Sequence, residues 1–206
     1  MKVTSIRKQV KRSNRYSIFI DGVYAFSLSD SGLVESGLFV GKELTKSETK
    51  GFQKQALIDK QLSQVLLYAA RRNHSRWEFL RYMQQKHFDE ESIEAVLLKL
   101  STLGFIDDYT FANMWVEGRR RTKPMSNYRL KQELYGKHID SDIVDQILSS
   151  TDKENNEATS LRSVAMGKMR STKYREDPRK LKQYLIRQGF PYDDVMSVVD
   201  QLLLDQ

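Results

Sequence analysis

Residues 86–97 read KHFDEESIEAVL, and residues 137–148 read KHIDSDIVDQIL. In the first, His87 is followed by Asp89, Glu90, Glu91 and Glu94; in the second, His138 is followed by Asp140 and Asp142. A histidine with trailing carboxylates can be half of a metal or catalytic site. It can also be the end of one helix and the start of the next.

A third segment decides between the two. The stretches are offset by 51 residues, and a further 51 leads to Phe190 in RQGFPYDDVMSVV. Six columns are apolar in all three copies: Phe79/Leu130/Leu181, Met83/Leu134/Leu185, Phe88/Ile139/Phe190, Ile93/Val144/Val195, Val96/Ile147/Val198 and Leu97/Leu148/Val199. With 39% hydrophobic residues, chance supplies about one such triple in this window, so the repeat is real. The histidine column reads His87, His138, Gly189. Glycine is the usual left-handed residue that ends a helix, and histidine is among its substitutes. The histidines are therefore expected at helix C-termini. The acids after them are expected to cap the next helix and meet its positive dipole end.

Each repeat unit reads as three helices. They are expected near 46–72, 76–86 and 90–102, near 108–121, 127–136 and 141–149, and near 152–171, 178–188 and 192–204. Thr45 to Glu48, Ser75 to Glu78 and Thr151 to Glu154 are capping-box patterns. Asp89, Asp107 and Asp177 are expected N-caps, the last followed by Pro178 at the first helical position. Gly104 and Gly136 fall at or just past helix ends. A unit of this size has a small core, and stacking neighbours share burial. The expected fold is mainly α: a tandem array of three three-helix units, elongated and curved. Residues 1–45 differ. YSIFIDGVYAFSLS places two alternating runs around Asp21-Gly22, a hairpin signal, and KVTSIRKQV is a candidate third strand. The expected division is a β-rich module over 1–45 and units over 46–104, 105–150 and 151–206.

The chain carries 34 Lys and Arg against 27 Asp and Glu, a net charge of +7. A basic balance favours polyanionic partners. It has no cysteine, which excludes disulfide scaffolds and thiolate metal sites. No apolar run approaches a membrane span and no hydrophobic leader begins the chain, so a soluble cytoplasmic protein is expected. Residues 1–15 hold Lys2, Arg7, Lys8, Lys11, Arg12 and Arg15 with no acid.

Each unit is also basic where its first helix meets its second. The residues are Arg71, Arg72 and Arg76; Arg119, Arg120, Arg121 and Lys123; and Lys168, Arg170, Lys173 and Arg175. Two readings stand. The cations complement helix C-terminal dipoles, or they form a segmented surface for a polyanion or an acidic protein face. Trp77 beside Arg76 and Tyr128 beside Arg129 are either packed aromatics or stacking faces for bases. Phosphate-loop, dinucleotide, zinc-protease and serine-hydrolase motifs are absent. A binder or modulator is expected rather than an enzyme, with no metal and no cofactor.

Four segments resemble the regulatory protein RecX family: SRWEFLRYMQQKHFDEESIEAVLLKL (75–100), LGFIDDYTFANMWVEGRR (103–120), LKQELYGKHIDSDIVDQIL (130–148) and KLKQYLIRQGFPYDDV (180–195). The resemblance covers about 60–204. Its most specific part is Gly104, Phe105, Asp107, Asp108, Phe111, Ala112 and Arg119. Where the family usually has Lys-Gly at a helix end, two units here have Lys-His. The resemblance implies tandem three-helix repeats without catalysis. It implies a protein that binds the RecA recombinase filament, bridges protomers, and suppresses ATP hydrolysis, strand exchange and co-protease activity in DNA repair, recombination and the SOS response; a monomer is expected. It also implies weak binding to single- or double-stranded DNA. The alternative is a stand-alone nucleic-acid-binding helical repeat protein.

Overall fold

The computed structural model describes residues 1–10, 14–152 and 156–204. Lys11 and Arg12, and the expected capping box between Thr151 and Glu154, lie outside the described residues. Strands β1 (Val3–Lys8), β2 (Arg15–Ile20) and β3 (Val23–Ser29) form an antiparallel sheet in that order. Asp21 and Gly22 turn β2 into β3 with φ of 48° and 84°. Positive φ at both positions makes the two-residue turn whose twist suits a hairpin. A short helix α1 (Asp30–Ser36) follows, then α2 (Lys46–Ala69), α3 (Arg76–Gln85) and α4 (Glu90–Thr102). The second trio is α5 (Asp108–Thr122), α6 (Asn127–Tyr135) and α7 (Ser141–Asp152). The third is α8 (Asn156–Met169), α10 (Pro178–Arg187) and α11 (Tyr192–Leu204), with a single turn α9 (Thr172–Arg175) between its first two helices. The helix expected to run to 171 stops short: the extended backbone at Ser171 (ψ 130°) separates α8 from α9. Among the described residues no helix is long and apolar enough to cross a membrane.

The 51-residue columns form the helical cores. Sixteen of their eighteen side chains are buried, and Phe88 and Val198 are partly buried. The first trio packs Phe79, Met83, Val96 and Leu100 against Ile58 and Val65 of α2. The second packs Leu130, Leu134, Val144 and Ile147 against Phe111 and Val116 of α5. The third packs Leu181, Leu185, Val195 and Val199 against Leu161 and Ala165 of α8. The chain divides into two compact units, Met1–Asn73 with Phe79–Ile106, and His74–Glu78 with Asp107–Gln206. The first turn of α3 thus belongs to the second unit.

The left-handed residues are where the repeat placed them: φ is 57° at His87, 55° at His138 and 87° at Gly189. Each closes the same turn. The Phe88, Ile139 and Phe190 amides donate to the carbonyls of Met83, Leu134 and Leu185 at 3.1, 3.1 and 3.3 Å. The preceding amides of His87, His138 and Gly189 donate to Gln84, Tyr135 and Ile186 at 3.0, 2.9 and 2.9 Å. This pair of bonds, with apolar side chains at both ends of the longer one, is the Schellman termination. The acids beyond it cap: Asp89 accepts from the Ser92 amide at 2.9 Å, and Asp140 accepts from the Asp142 amide at 2.9 Å.

In the first unit the sheet rests on α2, with Ile18, Ile20, Phe26 and Leu28 buried against Ala56. Arg15 is only 4% exposed. It pairs with Asp59 of α2 at 3.1 Å and donates to the Ser27 carbonyl at 2.9 Å. Asp59 also accepts from the amide (2.9 Å) and the hydroxyl of Ser29, the N-cap of α1. Arg15 is therefore a strut between sheet and helix and not part of a basic surface. A buried charge is kept where its partners are complete.

His87 is exposed, whereas His138 stacks on Trp77 with ring centroids 4.7 Å apart. A non-glycine residue in the left-handed region carries a strain that glycine relieves. His87→Gly is expected to stabilise the chain by about 0.5–1 kcal/mol. His138→Gly should gain less or lose, because it gives up a stack worth about 0.5–1.5 kcal/mol. Urea unfolding of the two variants checks this; equal gains would contradict it.

Candidate functional site

The corner between the first and second helices of each trio holds two things at once: the cations and the start of the second helix. The helix start makes a joint to the following trio. Ser75 caps α3, accepting from the Glu78 amide at 3.3 Å, and its hydroxyl donates to the Lys137 carbonyl at 3.2 Å. Ser126, 51 residues on, caps α6, accepting from the Arg129 amide at 3.2 Å, and donates to the Gln188 carbonyl at 2.6 Å. Both serines are fully buried. The accepting carbonyls are equivalent, each one residue before the left-handed position.

The next two residues add to the joint. The Arg76 amide donates to Asp108 Oδ1 at 2.8 Å, and the Asn127 amide donates to Glu157 Oε1 at 2.9 Å, so the carboxylates come from the start of the next first helix. Trp77 lies on His138, and Tyr128 lies on Gly189. A Cβ at Gly189 would sit 2.6 Å from the Tyr128 ring, so this column cannot hold histidine in the third trio. All these contacts fall inside the second compact unit.

Ser126 was missed as a cap in the sequence, although the period carries Ser75 to it and on to Asp177. Ser75 makes half of the expected capping box. Glu78 turns away to accept from Lys137 Nζ at 2.6 Å and to meet His74 Nδ1 at 3.1 Å. Thr45 and Glu48 complete theirs in both directions.

The candidate binding residues separate into two groups. Four are engaged in packing. Arg119 donates to Glu133 at 2.7 Å and covers the Trp115 ring at 4.7 Å. Arg120 donates to Asn127 at 3.1 Å. Trp77 carries the stack on His138, and Lys168 lies 4.8 Å over Tyr184. Ten are exposed: Arg71, Arg72, Arg76, Arg121, Lys123, Tyr128, Arg129, Arg170, Lys173 and Arg175. Of these, Arg72 donates to the Asn73 carbonyl at 2.8 Å and Lys173 lies 5.4 Å over Tyr174. Tyr128 keeps 60% of its surface open although its Cβ and one side of its ring pack close to Gly189. Exposed cations on flexible stems cost little to redirect, so a polyanion or acidic face can recruit them.

Comparison with known proteins bears on what such a surface serves. Residues 1–45 match the regulatory protein RecX N-terminal domain, and residues 107–148 match the second three-helix domain of RecX. A regulatory protein RecX from Prosthecochloris aestuarii is 33% identical over 146 residues, 70% of this chain and 94% of that one. The RecX of Listeria welshimeri is 29% identical over 155 residues, and the match spans 75% of this chain but 58% of the relative, so the chain covers little over half its length. A solved structure of regulatory protein RecX superposes with a TM-score of 0.83 at 26% identity, covering 97% of this chain and 98% of that one.

Asp108 marks the joint electrically. Burial raises its pKa, against the lowering effect of the Arg76 amide and charge, while neighbouring Asp107 adds to the rise. A raised carboxyl pKa means that the ionised form costs the folded state, and the cost is present above the folded pKa and gone below the unfolded one. Asp108→Asn keeps an acceptor for the Arg76 amide and removes the charge. It is expected to raise the unfolding midpoint at pH 7 and to lose that advantage on acidification below the ordinary aspartate pKa of 3.8. Thermal melts across that range check it; an advantage that grew as pH fell would contradict it.

Proposed function

This chain belongs to the regulatory protein RecX family, and we propose that it regulates by binding the filament of the RecA recombinase. In this reading it restrains ATP hydrolysis, strand exchange and co-protease activity as a cytoplasmic monomer. The observation that carries the reading is the set of cations left over once the fold has made its own ion pairs. Arg121, Lys123, Arg129, Arg170 and Arg175 are exposed and have no acidic partner among the described residues. They recur at equivalent corners of successive trios. A filament is itself a repeat, so a recurring set of cations suits recurring acids on its protomers or the phosphates of the DNA it encloses. Complementary charge steers encounter and fixes register more than it adds affinity. Binding one filament state better than another then moves the assembly equilibrium.

One observation favours a second reading. The open ring of Tyr128 beside exposed Arg129 is a stacking face next to a charge, as single-strand binders use. A stand-alone nucleic-acid binder would hold bare DNA tightly with a steep salt dependence.

The test is RecA ATP hydrolysis on single-stranded DNA, titrated with this protein and with Arg121→Glu/Lys123→Glu/Arg129→Glu. The parent is expected to inhibit. The triple variant should need at least about tenfold more protein, a loss of about 1.4 kcal/mol in binding, with its melting temperature unchanged. Equal inhibition by the variant would overturn the role of these cations. No inhibition by the parent, together with tight salt-sensitive binding to bare DNA, would overturn filament regulation in favour of the second reading.

A further inference from the structure

The joint has three parts, and the third trio has lost all of them. At the N-cap, Ser75 and Ser126 each donate a hydroxyl to a carbonyl of the following trio; the third member of the column is Asp177. Its carboxyl accepts from the Lys180 amide at 3.2 Å and pairs with Lys180 Nζ at 2.9 Å, and these bonds hold its pKa below the usual range. An ionised carboxylate has no proton to donate and would repel a carbonyl oxygen. At the next position, the amides of Arg76 and Asn127 donate to carboxylates, but Pro178 has no amide proton. At the third, Trp77 and Tyr128 cover left-handed residues, and Arg179 is an exposed cation. Each replacement is compatible with starting a helix, and Asp followed by Pro is a favourable start. What each removes is the means of holding another trio.

The complementary face is free on the first trio. The Lys86 carbonyl stands where those of Lys137 and Gln188 stand, and among the described residues no donor meets it. His87 is left-handed and exposed, with no aromatic stacked on it among the described residues. A donor edge at 177–179 and an acceptor edge at 86–87 would be two different patches of one chain. Contact between them is heterologous, and such contacts do not close unless the rotation happens to, so they propagate into fibres. Repeat proteins avoid this with altered terminal units.

We propose that Asp177-Pro178-Arg179 is an end stop that prevents copies of this chain from stacking head to tail through the Lys86–His87 face. The stop works through the three groups it withholds, whatever follows in the chain.

Restoring those groups tests it. Asp177→Ser/Pro178→Asn/Arg179→Tyr rewrites the third helix start in the form of the second. In sedimentation equilibrium the variant's average mass is expected to climb with concentration past twice that of the single chain, while the unaltered protein's does not change. The chain has no cysteine, so the contact can be trapped. A chain carrying Asp177→Ser/Pro178→Asn/Arg179→Cys, mixed with one carrying His87→Cys, should form a disulfide-linked dimer. The same cysteines with Asp177 and Pro178 retained should not. If the triple variant fails to fold, Asp177→Asn/Pro178→Asn/Arg179→Tyr keeps a strong helix cap, now uncharged and with an amide that can donate, and carries the same expectation. A mass independent of concentration in the folded variant, or equal linkage in both backgrounds, would overturn the proposal.

Discussion

A helix that closes on a left-handed residue does not satisfy all of its last carbonyls. The two bonds of the termination use carbonyls deeper in the helix, and the carbonyl just before the left-handed residue turns outward. In this chain that orphan is the point of attachment between repeats. The Lys137 and Gln188 carbonyls each receive a buried serine hydroxyl, which at the same time caps the helix it begins. One side chain thus satisfies an orphan acceptor of one trio and an orphan amide of another. Buried polar groups are costly when unmet, so this reciprocity is a condition for burying the joint at all. The left-handed residue, the serine and the aromatic two positions later form one device, and the 51-residue period is the distance at which the device recurs.

Much of this was legible in the sequence, because helix punctuation is local chemistry. The glycine at 189 identified the role of His87 and His138. Asp89, Asp107 and Asp177 were readable as caps from neighbours three residues away, and all three accept as expected. The hairpin followed from Asp21-Gly22. The partners that arrive from far along the chain were not legible. Arg15 reads as one of six bases in a basic arm, and nothing nearby reveals Asp59 as its counter-ion. Trp77 and Tyr128 read as either packed or available, and the choice rests on residues 61 positions later. Trp77 is taken by His138, while Tyr128 meets Gly189 and still stays largely exposed. The period held this information in part: it aligns Ser126 with Ser75 and pairs each aromatic with the next left-handed residue.

The same separation clarifies the charge. A net +7 suggests a surface, but the cations of this chain do different things. Arg15 is a buried strut, Arg119 covers the Trp115 ring and shares Glu133 with the Trp115 indole N–H, and Lys137 bridges Glu78 and the Trp115 ring at 4.4 Å. Substituting any of these would damage packing and mimic a loss of binding. The exposed cations are those that packing does not consume: Arg121, Lys123 and Arg129 stand beside the joint of the second trio, and Arg170 and Arg175 at the third corner, which has no joint. Structural repetition therefore leaves exposed cations at the corners of successive trios.

A side chain of one trio dictates the backbone residue of the next. A double-mutant cycle between Tyr128 and Gly189 tests it most directly, with stability read from denaturant midpoints. Gly189→Ala costs strain at φ 87° in any background and adds a clash, since its Cβ would lie 2.6 Å from the Tyr128 ring. With Tyr128→Ala the clash is gone and only the backbone strain remains. A coupling energy of about 1 kcal/mol or more is expected, with Gly189→Ala clearly less harmful once Tyr128 is removed. Additive losses would mean that the two residues do not meet as described and that the glycine is there for the turn alone.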